Sequence, residues 1–428
     1  MRHTKKYITE VPTEKSIYMW NIIGSMANAG MSLIVLMVVT RTLDKNNADI
    51  FSIAWAISQL MATIGMFQIR TYQATDVAER FKFKQYFLFR IITISFMMLF
   101  SVCYIVVNGY SLSKSVIILL ICLFRAVDAL ADVYEGWFQQ KERLDLAGKA
   151  LTFRVVLGVF CFSFTLFVVG DLLISSVVLL GAYIIGFFVT DIKYVLNIKT
   201  LKPSFTGGKG TNWILKLTIE GLPLFINAYL MMSIMNEPKM IIDQAIATGD
   251  LAVGGQTIYG ILLMPASFLT LAYIVFRPML THMAIMWNEK KIDKFLKTIF
   301  KMGGALLVMA CLILIGSAIL GIPVLSLVYA IDLEGYRNHL LIIILGGCFC
   351  TFSYVLDNAL IVIRKQYLLV LAYVFTWLYV KIIAKKMVVA FGLMGGALAY
   401  ATSMIVFFSF TALLFIICFK MACKNVNE

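Results

Sequence analysis

About twelve apolar stretches of roughly 17–25 residues recur along the 428 residues of this chain. Each is long enough to cross roughly 30 Å of hydrocarbon as a helix. They fall at approximately 17–40, 48–69, 86–107, 115–138, 149–169, 172–192, 214–235, 256–276, 302–326, 340–363, 367–383 and 394–419. A mean hydropathy of +0.89 with only 14% charged residues exceeds what a soluble core needs. The expected fold class is therefore all-α: a polytopic membrane protein of about twelve transmembrane helices.

The connections sort these stretches into two sets of six. The longest lie near 196–213 and 279–301. The first holds Pro203, Gly207, Gly208 and Gly210 and reads as a flexible cytoplasmic linker between an N-terminal lobe, 1–195, and a C-terminal lobe, 214–428. The second reads as a short amphipathic cytoplasmic segment. The polar first fifteen residues, and Trp20, Asn21 and Asn28 inside the first stretch, do not match a cleavable signal peptide. The first span is expected to serve as the insertion signal.

A formal net charge of +14 would suggest nucleic acid in a soluble chain. Here most of the 37 Lys and Arg fall at the termini and in the even-numbered loops, so the positive-inside rule accounts for the excess. The expectation is a multi-pass protein of the cell membrane with both termini cytoplasmic, partnered by the lipid bilayer and not by nucleic acid. Lys381, Lys385 and Lys386 fall on the expected outer side, against that pattern.

Loop length limits the chemistry. No loop is large enough for a catalytic domain, and the longest external one, about 236–255, carries Glu237, Asp243 and Asp250 without a nucleophile–base pair. Gly207-Gly208-Lys209-Gly210-Thr211 lacks the spacing of a phosphate-binding loop. Cys348 and Cys350 lie two apart on a helix, facing different ways, with no His or acid cluster beside them. No catalytic residue, metal or cofactor is expected, and the chain is read as a non-enzyme.

Four charges interrupt the fourth stretch: Arg125, Asp128, Asp132 and Glu135. At roughly 100° per residue they share an arc of about 80°. A charge at the bilayer centre costs roughly 2.5–3.5 kcal/mol on insertion scales, so the stripe must face protein or water. An interior cation suits an anionic head group, because the guanidinium fork matches phosphate oxygens in pairs. The alternative is an internal pair between Arg125 and Asp128 or Asp132. Arg90 and Arg154 lie about one turn from helix ends, and either line the same interior or snorkel to the interface. Together with Arg70, these arginines are the candidate substrate-binding residues. Asp128, Asp132, Glu135, Glu220 and Asp357 are candidate ion-coupling groups or charge partners.

Glu220-Gly221-Leu222-Pro223 makes the seventh stretch irregular, with Asn236-Glu237-Pro238-Lys239 closing its outer end, and Pro265 interrupts the eighth. Gly221, Pro223 and Pro265 are candidate hinges, the plain alternative being static kinks. Asn21, Gly24, Ser25, Asn28 and Ser32 form a small polar stripe, of the kind that packs helices.

Several stretches together resemble the Wzx-like polysaccharide repeat-unit flippases of the multidrug/oligosaccharidyl-lipid/polysaccharide exporter superfamily. They are Arg70-Thr-Tyr-Gln-Ala-Thr-Asp76, Asp132-Val-Tyr-Glu-Gly-Trp-Phe-Gln-Gln140 with Arg143-Leu-Asp-Leu-Ala-Gly148, Asn236-Glu-Pro-Lys239, Met264-Pro-Ala-Ser-Phe268 with Phe276-Arg-Pro278, and Gly321-Ile-Pro-Val-Leu325 with Tyr329 and Asp332. The resemblance implies a MATE-like pair of six-helix lobes around a cavity open alternately to each side. It implies a polyprenyl-diphosphate-linked oligosaccharide as cargo, and a polysaccharide polymerase and glycosyltransferases as partners. Arg125, Asp128 and Asp132 are the positions it marks. A multidrug exporter or a cell-wall-precursor flippase of the same superfamily is the nearest alternative. A membrane-bound transferase, polymerase or ligase acting on lipid-linked sugars is the more distant one.

Overall fold

A computed structural model describes residues 12–76, 79–198, 201, 212–272 and 277–427. Most of the expected linker lies outside them, as does Phe276. The described residues contain no strand. Nine helices among them are long and apolar enough to cross a membrane.

In chain order the elements are α1 Glu14–Thr42, α2 Lys45–Met66, α3 Ile69–Thr75, α4 Phe83–Asn108, α5 Leu112–Gln140, α6 Leu144–Val169 and α7 Leu172–Phe187. A π-turn, Phe188–Ile192, extends α7. Then come α8 Trp213–Ala247, α9 Gly255–Ala272, α10 Arg277–Asn288, α11 Ile292–Gly316, α12 Arg337–Val362 and α13 Leu369–Asn427. A second π-turn, Ser317–Gly321, and the helix Ile322–Tyr329 prolong α11. Within α13, Gly392 has φ 58° and ψ −133°, which bends one run of helix into two spans.

Local chemistry sets the starts and stops. Side chains of Thr13, Asp44 and Asp171 accept the first free N–H groups of α1, α2 and α7. Gly170, at φ 69°, closes α6 with its N–H on the Leu166 carbonyl.

Two compact units divide the chain, Met1–Tyr229 and Leu230–Glu428, and the boundary falls within α8. At the centre of the first stands α5, packed against α2, α3, α4, α6 and α7. In the second, α12 packs against α9, α10, α11 and α13. A helix enclosed by neighbours can carry charge that a lipid-facing helix cannot, and α5 and α12 carry Asp128 and Asp357.

Two expected ends are corrected. Asn236-Glu237-Pro238-Lys239 does not close the seventh span, because α8 continues to Ala247. The eleventh span does not stop near 383, because its helix runs through Lys381, Lys385 and Lys386 to the Gly392 bend. One ion pair links the two corrected segments. The buried Glu237 carboxylate pairs with Nζ of the exposed Lys381 at 2.6 Å, so two charges that look like loop residues neutralise each other at the edge of the helical unit.

A charge network inside the first unit as candidate functional site

The stripe on α5 meets arginines from three other elements. Phe67 and Gln68 both adopt left-handed backbone, with φ 46° and 51°, and separate α2 from α3. For non-glycine residues this costs roughly 1–2 kcal/mol each. The break begins a new helix at Ile69, from which Arg70 donates to Asp132 Oδ1 at 3.1 Å and to Glu135 Oε2 at 2.6 Å.

On α4, Arg90 Nη2 donates to Asp132 Oδ2 and Nη1 to the Gly65 carbonyl, both at 2.7 Å. That carbonyl belongs to the last turn of α2, where no intrahelical donor remains. Thr93 Oγ1 donates to the same oxygen at 2.7 Å. Arg90 thus caps α2 and neutralises α5 at once.

On α6, Arg154 pairs with both Glu135 and Asp191. Asp191 sits in the π-turn after α7, where the widened turn interrupts the α-helical register. Thr190 Oγ1 donates to its Oδ2 at 2.9 Å. Close approach depends on Gly186, whose Cβ, if present, would lie 2.8 Å from Arg154 Cγ.

Arg125 is held differently. It faces Asp128 Oδ2 at 3.7 Å, longer than a hydrogen bond, and its Nε is buried with no hydrogen-bond partner. Its guanidinium lies 4.7 Å from the Trp55 ring centroid and 4.9 Å from that of Phe124. Such stacking suits a desolvated guanidinium but leaves its donors unused. Four arginines and four carboxylates therefore meet in one interior, tightly paired at the Arg70, Arg90 and Arg154 end and loosely at the Arg125 end.

This placement sorts the candidates. Snorkelling does not describe Arg90 or Arg154, since both side chains have 0% exposure. Arg70 and Arg125 retain 28% and 12%. Asp128, Asp132 and Glu135 all join the network. Glu220 is exposed and beside the Tyr72 hydroxyl. Asp357 belongs to the second unit, where it accepts from the Tyr373 hydroxyl at 3.1 Å while its Oδ1 is buried without a partner. Gly221 rests on the Phe67 ring, at 3.1 Å from an ideal Cβ. Pro223 and Pro265 lie inside α8 and α9. Among the described residues, no three His, Cys, Asp or Glu side chains converge as a metal site requires.

Sequence reasoning did not place Asp191, Trp55 or the Gly65 carbonyl in this site. Asp191 carried the one available signal, an acid at the end of an apolar stretch.

No protein-family model matches the chain, and no curated protein matches it by sequence. Among solved structures, it is similar to an inward-facing multidrug resistance MATE family transporter of the MOP superfamily. That likeness has 12% identity, covers 94% of this chain and 99% of that chain, and has a TM-score of 0.68. It is also similar to the lipid II flippase MurJ in an inward closed conformation, at 15% identity, 92% and 87% coverage and a TM-score of 0.61. A MOP superfamily transporter from Pyrococcus furiosus, described as having a binding pocket of reverse polarity, matches at 11% identity, 96% and 99% coverage and a TM-score of 0.54. At these identities the likeness establishes the fold, that of an all-α polytopic membrane protein.

Proposed function

We propose that this chain is a flippase of the Wzx-like kind. It carries polyprenyl-diphosphate-linked oligosaccharide units from the cytoplasmic to the outer leaflet of the cell membrane, for polysaccharide export. The observation that carries this reading is the loosely held Arg125. It is a permanent cation inside a membrane protein, partly accessible, with unused donors and an aromatic face beneath it. A diphosphate oxygen would satisfy those donors better than the distant Asp128 carboxylate does. Arg70, also partly accessible, is a second contact. Arg90 and Arg154 then act beneath them as fixed countercharges.

Transport would follow by alternating access of two six-helix lobes, on either side of the 196–213 linker and with both termini cytoplasmic. Gly221, Pro223 and Pro265 are the proposed hinges. Asp357, a buried carboxyl with one hydroxyl partner, is the proposed ion-coupling group, and Glu220 a secondary one. The MOP-type fold supports a transporter. The loosely held Arg125 favours an anionic cargo over a cationic drug. The likeness to MurJ, a lipid II flippase, supports a lipid-linked one.

The test is transport of a fluorescent polyprenyl-diphosphate oligosaccharide in proteoliposomes. Wild type should move it, Arg125→Ala should abolish movement while inserting normally, and Arg125→Lys should recover part. Efflux of a cationic dye without movement of the lipid would replace this reading with a multidrug exporter.

A further inference from the structure

The face of α11 that points away from the second unit changes character along its length. Lys294, Lys297 and Lys301 are exposed, and none makes an ion pair with a described residue. At roughly 100° per residue, Gly304, Val308, Leu312 and Ile315 continue the same arc of about 80°. The last three are 61%, 66% and 59% exposed. This helix is also the most apolar and the least buried of the nine spans among the described residues, so the stripe faces lipid.

At its far end the stripe opens into a groove of about 400 Å³ between α11 and α12. Leu314, Ile315, Ala318, Leu341, Ile342 and Leu345 line it, all apolar. From Lys301 to Ile315 the helix rises about 21 Å. Half of a bilayer's hydrocarbon is only about 15 Å. The tail of an ordinary phospholipid held by the lysines would therefore stop short of the groove.

We propose that the lysine row and the groove form one docking track for a long-chain polyprenyl phosphate lipid. Its anionic head rests on Lys294, Lys297 and Lys301, and its chain runs past Gly304 into the apolar groove. The track deepens the flippase reading and rests on it, as a docking position on the second unit that the lipid holds before its diphosphate is taken up by Arg125. Ammonium groups supply the charge match as point charges. The chain gains burial along an exposed apolar face, and the all-apolar lining suits a methyl-branched isoprenoid chain.

A photoactivatable long-chain polyprenyl phosphate, added to the full-length protein in nanodiscs, tests this. Mass-spectrometric mapping should place crosslinks on α11 and α12. The triple variant Lys294→Gln, Lys297→Gln, Lys301→Gln should lower retention roughly tenfold or more. Gly304→Trp should remove the groove crosslinks and leave the fold intact, because a Cβ there meets nothing within 4 Å. Equal competition by phosphatidylglycerol would overturn the length argument. Crosslinks confined to α5 and unchanged in both variants would overturn the track while leaving the flippase reading standing. No retention of the polyprenyl lipid anywhere would overturn both.

Discussion

Arg154 shows what a single residue carries in this interior. It has no exposed surface and two carboxylate partners, Glu135 and Asp191. Removing one partner of a buried pair costs about 3–5 kcal/mol, because the remaining charge stays buried. Arg154→Ala is therefore expected to destabilise the protein in detergent by about that amount. Adding Asp191→Leu to Arg154→Met should restore part of the loss, since Glu135 keeps Arg70. Equal stability of Arg154→Ala and wild type in a thermal or denaturant melt would sink the account. The residues on α5 were legible in the sequence because all four sit on one helix, where spacing alone defines a face. Their partners were not. Asp191 lies on a different helix, 37 residues from Arg154, and the Gly65 carbonyl is a backbone group with no sequence signature.

At the scale of elements, a glycine decides how closely α7 meets α6. Gly186→Ala would bring a Cβ within 2.8 Å of Arg154 Cγ and 3.3 Å of its Cα. Overpacking of this kind costs about 1–3 kcal/mol. Gly181, on the same helix, has nothing within 4 Å of its ideal Cβ, so Gly181→Ala is expected to be neutral or slightly stabilising. A melt in which the two variants behave alike would remove the close-approach argument. Hydropathy located the spans well, because a bilayer imposes a length on any helix that crosses it. It failed where charge sits inside a helix. Glu237 and Lys381 mark loop in a hydropathy profile, yet α8 and α13 continue past them and the two charges pair.

The whole molecule consists of two helical units, each built around one enclosed helix, α5 or α12. The all-α, many-span architecture was legible in composition alone. The orientation in the membrane rests on charge placement, which a labelling experiment reads directly. Cysteines introduced as Lys84→Cys and Lys297→Cys should react with a membrane-impermeant maleimide only from the cytoplasmic side, and Glu334→Cys only from outside. The reverse pattern would invert the direction of transport proposed above.

The network on α5 also has a consequence for how the chain enters the membrane. When α5 leaves the ribosome, Arg70 and Arg90 already lie behind it in the sequence, so Asp132 and Glu135 meet cations as soon as they arrive. Arg154 follows and finds Glu135 waiting. Asp191 comes last and finds Arg154. Apart from the Arg125–Asp128 pair, which α5 brings with it, each charge that arrives with α5 or later can join a partner made earlier. Arg70 and Arg90 wait for α5, but from α5 onward the first unit adds charge to its polar interior only where a partner is already present.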